Sequence, residues 1–570
     1  MKMINQKGVA LAITLLVIVV LITIGGLLVM RAVNEKNISD HHQMSTKAFY
    51  IAEAGINLGI DKIDTLINTD MLNTVNTMNP QVLGNKAQAA VNNADGISFL
   101  IEMVKNNGVA QLTLNGANAE YTLGSTTFGS GNYQYKIIIS EKKDPVAAGT
   151  DMWDFFFYYQ VDATGSSSAE SKDIVLTGDF TVRVQRDNFA KYALFTEHHC
   201  LPPSGGGTCG NPVWFTNKTN FAGPIHTNDK YSFALNPSGT FYGPVTQQNT
   251  KAQFYNQGNP VLINANNNGT LDVPTFNSTY QRGVAQIVLA SSVQKQDLID
   301  QATGNTVFTG NGIFVANNGT ALTGGIYVNG NATVSMGVDG NGDAAYTVTQ
   351  GSTTKIVTVK RTTNQTTVQL GGTTTTYSGL PDGVDDVGTI IYVNGAVDSV
   401  SGTVQKDTEV TLSSENDIVI TNTLTYEDYT PAVGTPGTAG YVPPNADGKT
   451  NLLGIVSWGG NVRVGTSAPN DVNMHGIMMA RNGIFAVDSH NNTSIGSRGT
   501  ATLLGGAITQ FYGAFGLFNG STGNQIAGYG RNFVYDSRTL VGKAPPYFPT
   551  MKTFVAFTND LTDRLIWQNG

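Results

Sequence analysis

One run near the start of the chain limits its fold more than any other feature. Residues 6–40 read QKGVALAITLLVIVVLITIGGLLVMRAVNEKNISD, and the 22 positions from Val9 to Met30 carry no charge. About 20 apolar residues cross a bilayer as a helix. A secretory signal instead has an apolar core of about 7–15 residues followed by a small-x-small cleavage site. This core is longer, and the following LLVMRAVNEK offers no Ala-x-Ala. Lys2 and Lys7 on the short N-terminal side orient that end toward the cytoplasm.

The helical pattern continues beyond Arg31. In MSTKAFYIAEAGINLGIDKIDTLINT, Ala48, Ala52, Ile56, Ile60 and Ile63 recur every three or four residues, which is one face of an amphipathic helix. The first proline is Pro80. One helix over 9–68 is therefore expected, apolar all round in its first half and amphipathic in its second. At 1.5 Å per residue it spans roughly 90 Å, far more than a membrane requires. Gly25-Gly26 is its expected soft point.

This combination resembles the type IV pilin-like proteins, and within them the minor pilins with a PilX-type N-terminus. The matching features are a short basic leader, KG before an apolar helix, and AFYIAEAGIN at 48–57. The resemblance implies a leader at 1–8, cleavage between Gly8 and Val9 by a prepilin peptidase, and N-methylation of Val9. It also implies a helix that sits first in the inner membrane (9–30 spanning) and later packs with other minor and major pilins in a pilus. One position departs from the family. Major pilins carry a glutamate at the fifth mature position, thought to pair with a neighbour's terminal amine, and here that position is Ile13. Leaving one half of a buried ion pair unmatched is costly, so a subunit without the carboxylate suits the tip, where it primes or caps assembly.

Composition describes the rest. Charged residues make up 13% and there are 65 glycines, the profile of a β-rich exterior protein with many tight turns. From residue 190 onward, 19 Lys/Arg stand against 23 Asp/Glu, a balance of −4. That is a poor basis for broad capture of nucleic acid, which depends on cationic contacts to phosphate.

Residues 69–187 read as a pilin-like head. A loop-rich connection leads to strands at 133–140, 152–164 and 172–185, which are β-branched, aromatic and partly alternating. A Cys-containing β-rich domain is expected over 188–310. There Cys200 and Cys209 flank a Gly/Pro-rich loop, which reads most simply as a disulfide in an oxidising exterior. The alternative is a metal site drawing on His198, His199, Cys200, Cys209 and His226, although the spacing does not match a Cys/His zinc template. The run PVWFTNKTNFAGPIHTN (212–228) also resembles a domain of unknown function found behind this N-terminus.

From residue 311 to 534 short strands share one form: GIFVANNG, GIYVNGNA, IIYVNGAV, DIVITNTL, GIVSWGGNV, GIMMARNGIFAV and GAITQFYGAFGLF. Irregular spacing between similar strands suits a β-solenoid with insertions at its turns, and large tip pilins of Thermus-type DNA-uptake systems resemble this layout. A sandwich or barrel is the rival. Residues 346–379 read as inserted Thr-rich hairpins and 426–450 as a long exposed loop. The expected fold class is thus an α+β pilin-like head on a long helix, followed by a mainly-β module. A C-terminal cap is expected over 535–570, in which Tyr535, Tyr547 and Phe548 either pack over the last coil or form an exposed aromatic platform.

No catalytic motif emerges, and no cofactor is expected. ADGKT (446–450) imitates a phosphate-binding loop, but the required earlier glycine falls at Pro443. Asp339, Asn341 and Asp343 have calcium-loop spacing, yet Ala344 and Gln350 stand where glycine and glutamate belong. Asp382, Asp385 and Asp386 are candidate paired carboxylates, or a turn. Two ligand readings remain for the distal module. DNA reception during transformation predicts that Lys355, Lys360, Arg361, Arg463, Arg481 and Arg498 share one surface. Surface or glycan adhesion relies on aromatic residues.

Overall fold

The apolar and amphipathic patterns fuse into one helix, Gln6–Thr65, which continues through a single π turn, Leu66–Met71, into Leu72–Thr77. The computed structural model describes residues 6–106, 108–149, 152–168, 170–204, 208–216, 219–234, 239–256, 259–265, 273–519, 524–558 and 562–566. Most of the leader, residues 1–5, lies outside them. The chain forms two compact units, one of residues up to Gln185 plus those from Thr553, the other of Arg186–Lys552.

In the first unit the helix has two environments. From Val9 to Ile38 every side chain is exposed, with Leu15 at 65% and Met30 at 67%, and Gly25 and Gly26 meet nothing. The second half buries Ala48, Ala52, Ile56 and Ile63 on an antiparallel sheet. The sheet's long strands are Asn118–Phe128, Gly131–Gly149, Met152–Ser167 and Glu170–Asn188. Strict alternation along 152–167 turns Trp153, Phe155, Phe157, Tyr159 and Val161 inward, as a sheet with one covered face requires. Small residues set the approach of helix to sheet. A Cβ on Gly165 would lie 2.3 Å from the Ala48 carbonyl oxygen, and one on Gly59 would lie 2.4 Å from Val161. Helices Pro80–Asn93 and Gly96–Met103 complete this core. The C-terminal strand Thr562–Ile566 pairs antiparallel on Glu170–Asn188, with Leu565 opposite Leu176.

The second unit is built on parallel pairing. Leu322–Asn329, Thr389–Asn394, Glu409–Ser414, Leu452–Ser457, Asn473–Val487 and Ser497–Phe511 follow one another as parallel neighbours. The column continues through Leu194–His198, Ile225–Thr227, Val245–Gln247 and Tyr280–Arg282. One buried position runs its length: Ile326, Ile391, Leu412, Ile455, Met478, Ala507, Leu194, Ile225, Val245 and Tyr280. A second column stacks Val334, Val400, Ile420, Val464 and Val487, also buried. Where the sequence reading separates 188–310 from 311–534, strands of both stretches share this ladder. Its order is not chain order, because Leu194–His198 lies against Ser497–Phe511.

The Thr-rich segment forms the expected antiparallel hairpins, Ala344–Gln350, Thr353–Lys360, Gln365–Leu370 and Thr373–Ser378. Helix Ser292–Thr303 sets Leu298 and Ala302 into a cluster with Ile390, Tyr392 and Trp458. Strands covered on both faces read as continuous apolar runs, and Leu452–Ser457 is buried at every position. Tyr535 and Phe548 are buried, the Tyr535 hydroxyl donating to the Lys191 carbonyl at 2.8 Å. They pack and do not form an exposed platform.

Candidate ligand-binding cleft

Two successive rungs of the parallel column carry the same local text, NFAGPI (220–225) and TFYGPV (240–245). Their phenylalanines stack, Phe221 on Phe241 at 6.0 Å and Phe241 on Phe276 at 5.5 Å. Glycine is needed at the fourth position because the next layer touches it. A Cβ on Gly223 would lie 2.3 Å from the Tyr535 ring, and one on Gly243 would meet the Gly223 carbonyl carbon at 2.4 Å. The rungs deliver Phe221 and Tyr242 to the floor of a cleft of about 620 Å³.

Other walls come from distant segments. Cys200 and Cys209 form a disulfide with Cα atoms 5.9 Å apart. It closes a loop that returns through the Cys200–Pro212 bridge and brings Trp214 to the cleft, edge-on to Tyr255 at 5.5 Å. The same Cys200 carbonyl accepts from the Tyr512 amide at 3.0 Å. The stretch expected to be a long exposed loop supplies a wall at Ala432–Tyr441. It is held by Val433–Val442 pairing and by Asn445 accepting from the Thr430 amide at 3.0 Å. Gly437, at φ +78°, presses on Tyr242, leaving 2.8 Å to a notional Cβ. Strand Gln525–Val534 adds Arg531, Asn532 and Phe533.

Arg531 sets the electrostatics. Its guanidinium lies 5.0 Å from the Tyr512 ring centroid, and among the described residues it has neither a hydrogen-bond acceptor nor a carboxylate partner. Desolvation alone pulls it down to about 10, so it remains charged at neutral pH. Beneath Tyr512, His199 packs against Phe215 and Tyr231. Burial first, then the field of Arg531, hold His199 down at about 3 and therefore neutral. Asn220, Thr216, Asn519 and Asn532 provide polar groups along the lining, and no Asp or Glu lines the cleft among the described residues.

Apart from Tyr535, which lines the cleft, the residues singled out from sequence lie elsewhere. Gly8, Val9 and Ile13 sit on the exposed apolar half of the helix. The proposed metal ligands have separate partners: His198 stacks on Phe511 at 5.1 Å, and His226 bonds Thr246 Oγ1 at 2.8 Å and Asn228 Oδ1 at 2.9 Å. Asp229 lies within 4.8 Å of both cysteine sulfurs, but sulfurs bonded to each other offer no thiolate. The Asp339 carboxylate accepts from the amides of Asn341 (2.8 Å) and Asp343 (3.0 Å), closing a hairpin turn; these bonds hold its pKa below the usual range.

Asp385 accepts from Gln301 at 3.1 Å and from the Tyr547 hydroxyl, while burial raises Asp382 to about 6 and Asp386 turns the chain at φ 54°. Lys449 of ADGKT ties Asp447 (3.2 Å) and the Asp428 carbonyl within the loop.

Most of the six cations proposed for DNA contact answer to internal partners. Lys355 donates to the Ile313 carbonyl at 2.7 Å, Arg361 to the Asp407 carbonyl, and Arg481 to the Ala290 carbonyl at 2.9 Å. Arg463 bridges Asp417 (3.1 Å) and Asp488 (2.9 Å). Arg498 is buried, donates to the Ala468 carbonyl and lies over Tyr529. Lys360 is half-buried at the end of strand Thr353–Lys360, where its charge helps to hold the Asp339 carboxyl low.

Comparison with known protein families gives a partial match. The family described as "Domain of unknown function (DUF4900)" covers residues 154–250, from the last strands of the first unit into the rungs that floor the cleft. No curated protein and no solved structure matches the chain.

Proposed function

We propose that this chain is a type IV pilin-like minor subunit that anchors in the inner membrane, is trimmed between Gly8 and Val9 by a prepilin peptidase, and joins a pilus through its helix. The observation that carries the reading is the division of one 60-residue helix into an apolar half that no described residue covers and a half buried on its own sheet. An uncovered apolar rod of about 33 Å is unfavourable in water and stable either in lipid or among similar rods. Ile13 in place of the family glutamate favours the tip, where a subunit primes or caps assembly. We read the parallel columns of the second unit as a β-solenoid whose turns carry the Thr-rich hairpins and the loop at 426–450. That module meets the exterior, and its task is presentation and binding, not catalysis.

Mass spectrometry of the protein recovered from sheared surface fibres tests this. An N-terminus at N-methylated Val9 is the expected result. Protein that keeps Met1 and stays wholly in the inner membrane overturns it. Among ligands for the module, adhesion is better supported than DNA reception, because the aromatic cleft is open while five of the six proposed DNA-contacting cations have acceptors of their own.

A further inference from the structure

We propose that the cleft binds a sugar bearing a carboxylate, with Arg531 pairing the acid group and Trp214, Tyr242 and Phe518 offering faces to the ring. The size suits this. Pockets of about 300–1,000 Å³ enclose small ligands, and 620 Å³ takes a short oligosaccharide end. So does the chemistry. Pyranose rings have an apolar C–H face that lies on aromatic surface and hydroxyls that need amide and hydroxyl partners. Trp214 and Tyr242 are half-buried, Phe518 is exposed at 39%, and Asn220, Asn519 and Asn532 stand on the same lining.

Arg531 narrows the class. A desolvated cation without a counterion is unfavourable, and among the described residues this one has the Tyr512 ring beside it but no carboxylate. The effects on both titrating groups agree: nothing raises Arg531, and its positive field reaches His199. A planar guanidinium fork matches a carboxylate by two parallel hydrogen bonds. A neutral sugar would leave that fork unpaired, and an apolar ligand would leave it worse. A polyanion needs several cations along its backbone, whereas Arg531 is the single cation on the lining among the described residues. One charge in a largely aromatic, amide-rimmed cleft fits one carboxylate on one sugar.

Titration calorimetry on the full-length protein in detergent micelles decides the matter with three probes. These are a disaccharide ending in glucuronic acid, the same disaccharide with glucose in its place, and a 12-residue oligothymidylate. The expected result is binding of the acidic disaccharide at least tenfold tighter than the neutral one. Arg531→Gln should remove that preference, and Trp214→Ala should weaken both sugars. Equal affinity for the two sugars in the unaltered protein overturns the proposal, and so does binding of neither. Oligothymidylate binding that is lost in Trp214→Ala assigns the cleft to nucleic acid instead and also overturns it. The sugar comparison needs no variant, so a misfolded Arg531→Gln cannot obscure the outcome. The proposal rests on the cleft and not on the pilus reading, which stands or falls on the processed N-terminus.

Discussion

The rings of Tyr327 and Tyr392 lie parallel within 7°, with centroids 6.2 Å apart, on adjacent rungs of the long parallel column. Two residue pairs further, Asn394 donates its side-chain amide to Asn329 Oδ1 at 2.8 Å. GIYVN and IIYVN thus stack like on like. Tyr392 also donates to Glu415 at 2.9 Å, and Lys295 holds the same carboxylate at 2.9 Å. Tyr392→Ala removes a fully buried ring and is expected to destabilise the second unit by about 3–5 kcal/mol. Tyr392→Phe keeps the stack and loses one hydrogen bond, about 1 kcal/mol. The denaturation midpoint followed by tryptophan fluorescence checks the contrast, since Trp458 is buried in the same cluster.

Arg538 and Asp536 form a buried bidentate pair, at 2.9 and 2.6 Å, and Arg538 also caps the carbonyls of Lys449 and Asn451. Removing the cation leaves a buried carboxylate unmatched. Arg538→Met is expected to cost about 3–5 kcal/mol. The double variant with Asp536→Asn should recover part of this, and a double-mutant cycle on the denaturation midpoint measures how much.

The Cys200–Cys209 bond closes a loop of nine residues' separation. Chain-entropy reasoning for so short a loop gives about 3 kcal/mol. Replacing both cysteines by serine should lower the unfolding midpoint of the second unit accordingly and make it insensitive to reductant. The unaltered protein should shift when reduced.

Gly165 faces the helix so closely that a Cβ would lie 2.2 Å from the Ala52 amide nitrogen, which is backbone and cannot turn aside. Gly165→Ala should therefore force the helix off the sheet and destabilise the first unit by about 1–3 kcal/mol. Gly25→Ala meets nothing and should leave it unchanged. Limited proteolysis around residues 45–65 distinguishes the two variants.

Burial keeps three histidines of the second unit neutral, His226 and His475 pulled down to about 4 and His199 to about 3. In the unfolded chain these groups take up protons below about 6.5. Between about 6.5 and 4 the unfolded state thus binds more protons, and stability falls as the pH falls, by about 1.4 kcal/mol per pH unit for each histidine. Asp382, raised to about 6 by burial, works in the opposite direction with a single proton. Denaturation midpoints at pH 7, 6 and 5 should decline steadily, and a flat profile contradicts the assignment.

Much of the local structure was readable from residue patterns. The three strands of the head, the Thr-rich hairpins, the stacked GIYVN and IIYVN strands and the Cys200–Cys209 bond all follow from period, turn chemistry or proximity. The repeat pairing NFAGPI with TFYGPV was also visible and would have pointed to the cleft floor. The cleft itself was not readable. Trp214, Tyr441 and Arg531 come from three far-separated segments, and nothing local marks an arginine as lacking an acidic neighbour. The acceptors that hold Arg361, Arg463 and Arg498 were equally invisible, so charge alone overstated them as a surface.

The chain's own order of residues determined the long helix, because an uncharged run followed by a 3.6-residue period has no other stable form. It determined the β character of the remainder as well, through β-branched strands between glycine turns. Only the tertiary structure decided that Leu194 lies beside Ala507, so that the column runs out of chain order. Parallel neighbours need no connecting turn and leave no mark near either strand. The cleft follows from that stacking, since rungs at 221 and 242, a loop at 432–441 and a strand at 525–534 meet only once the column is built.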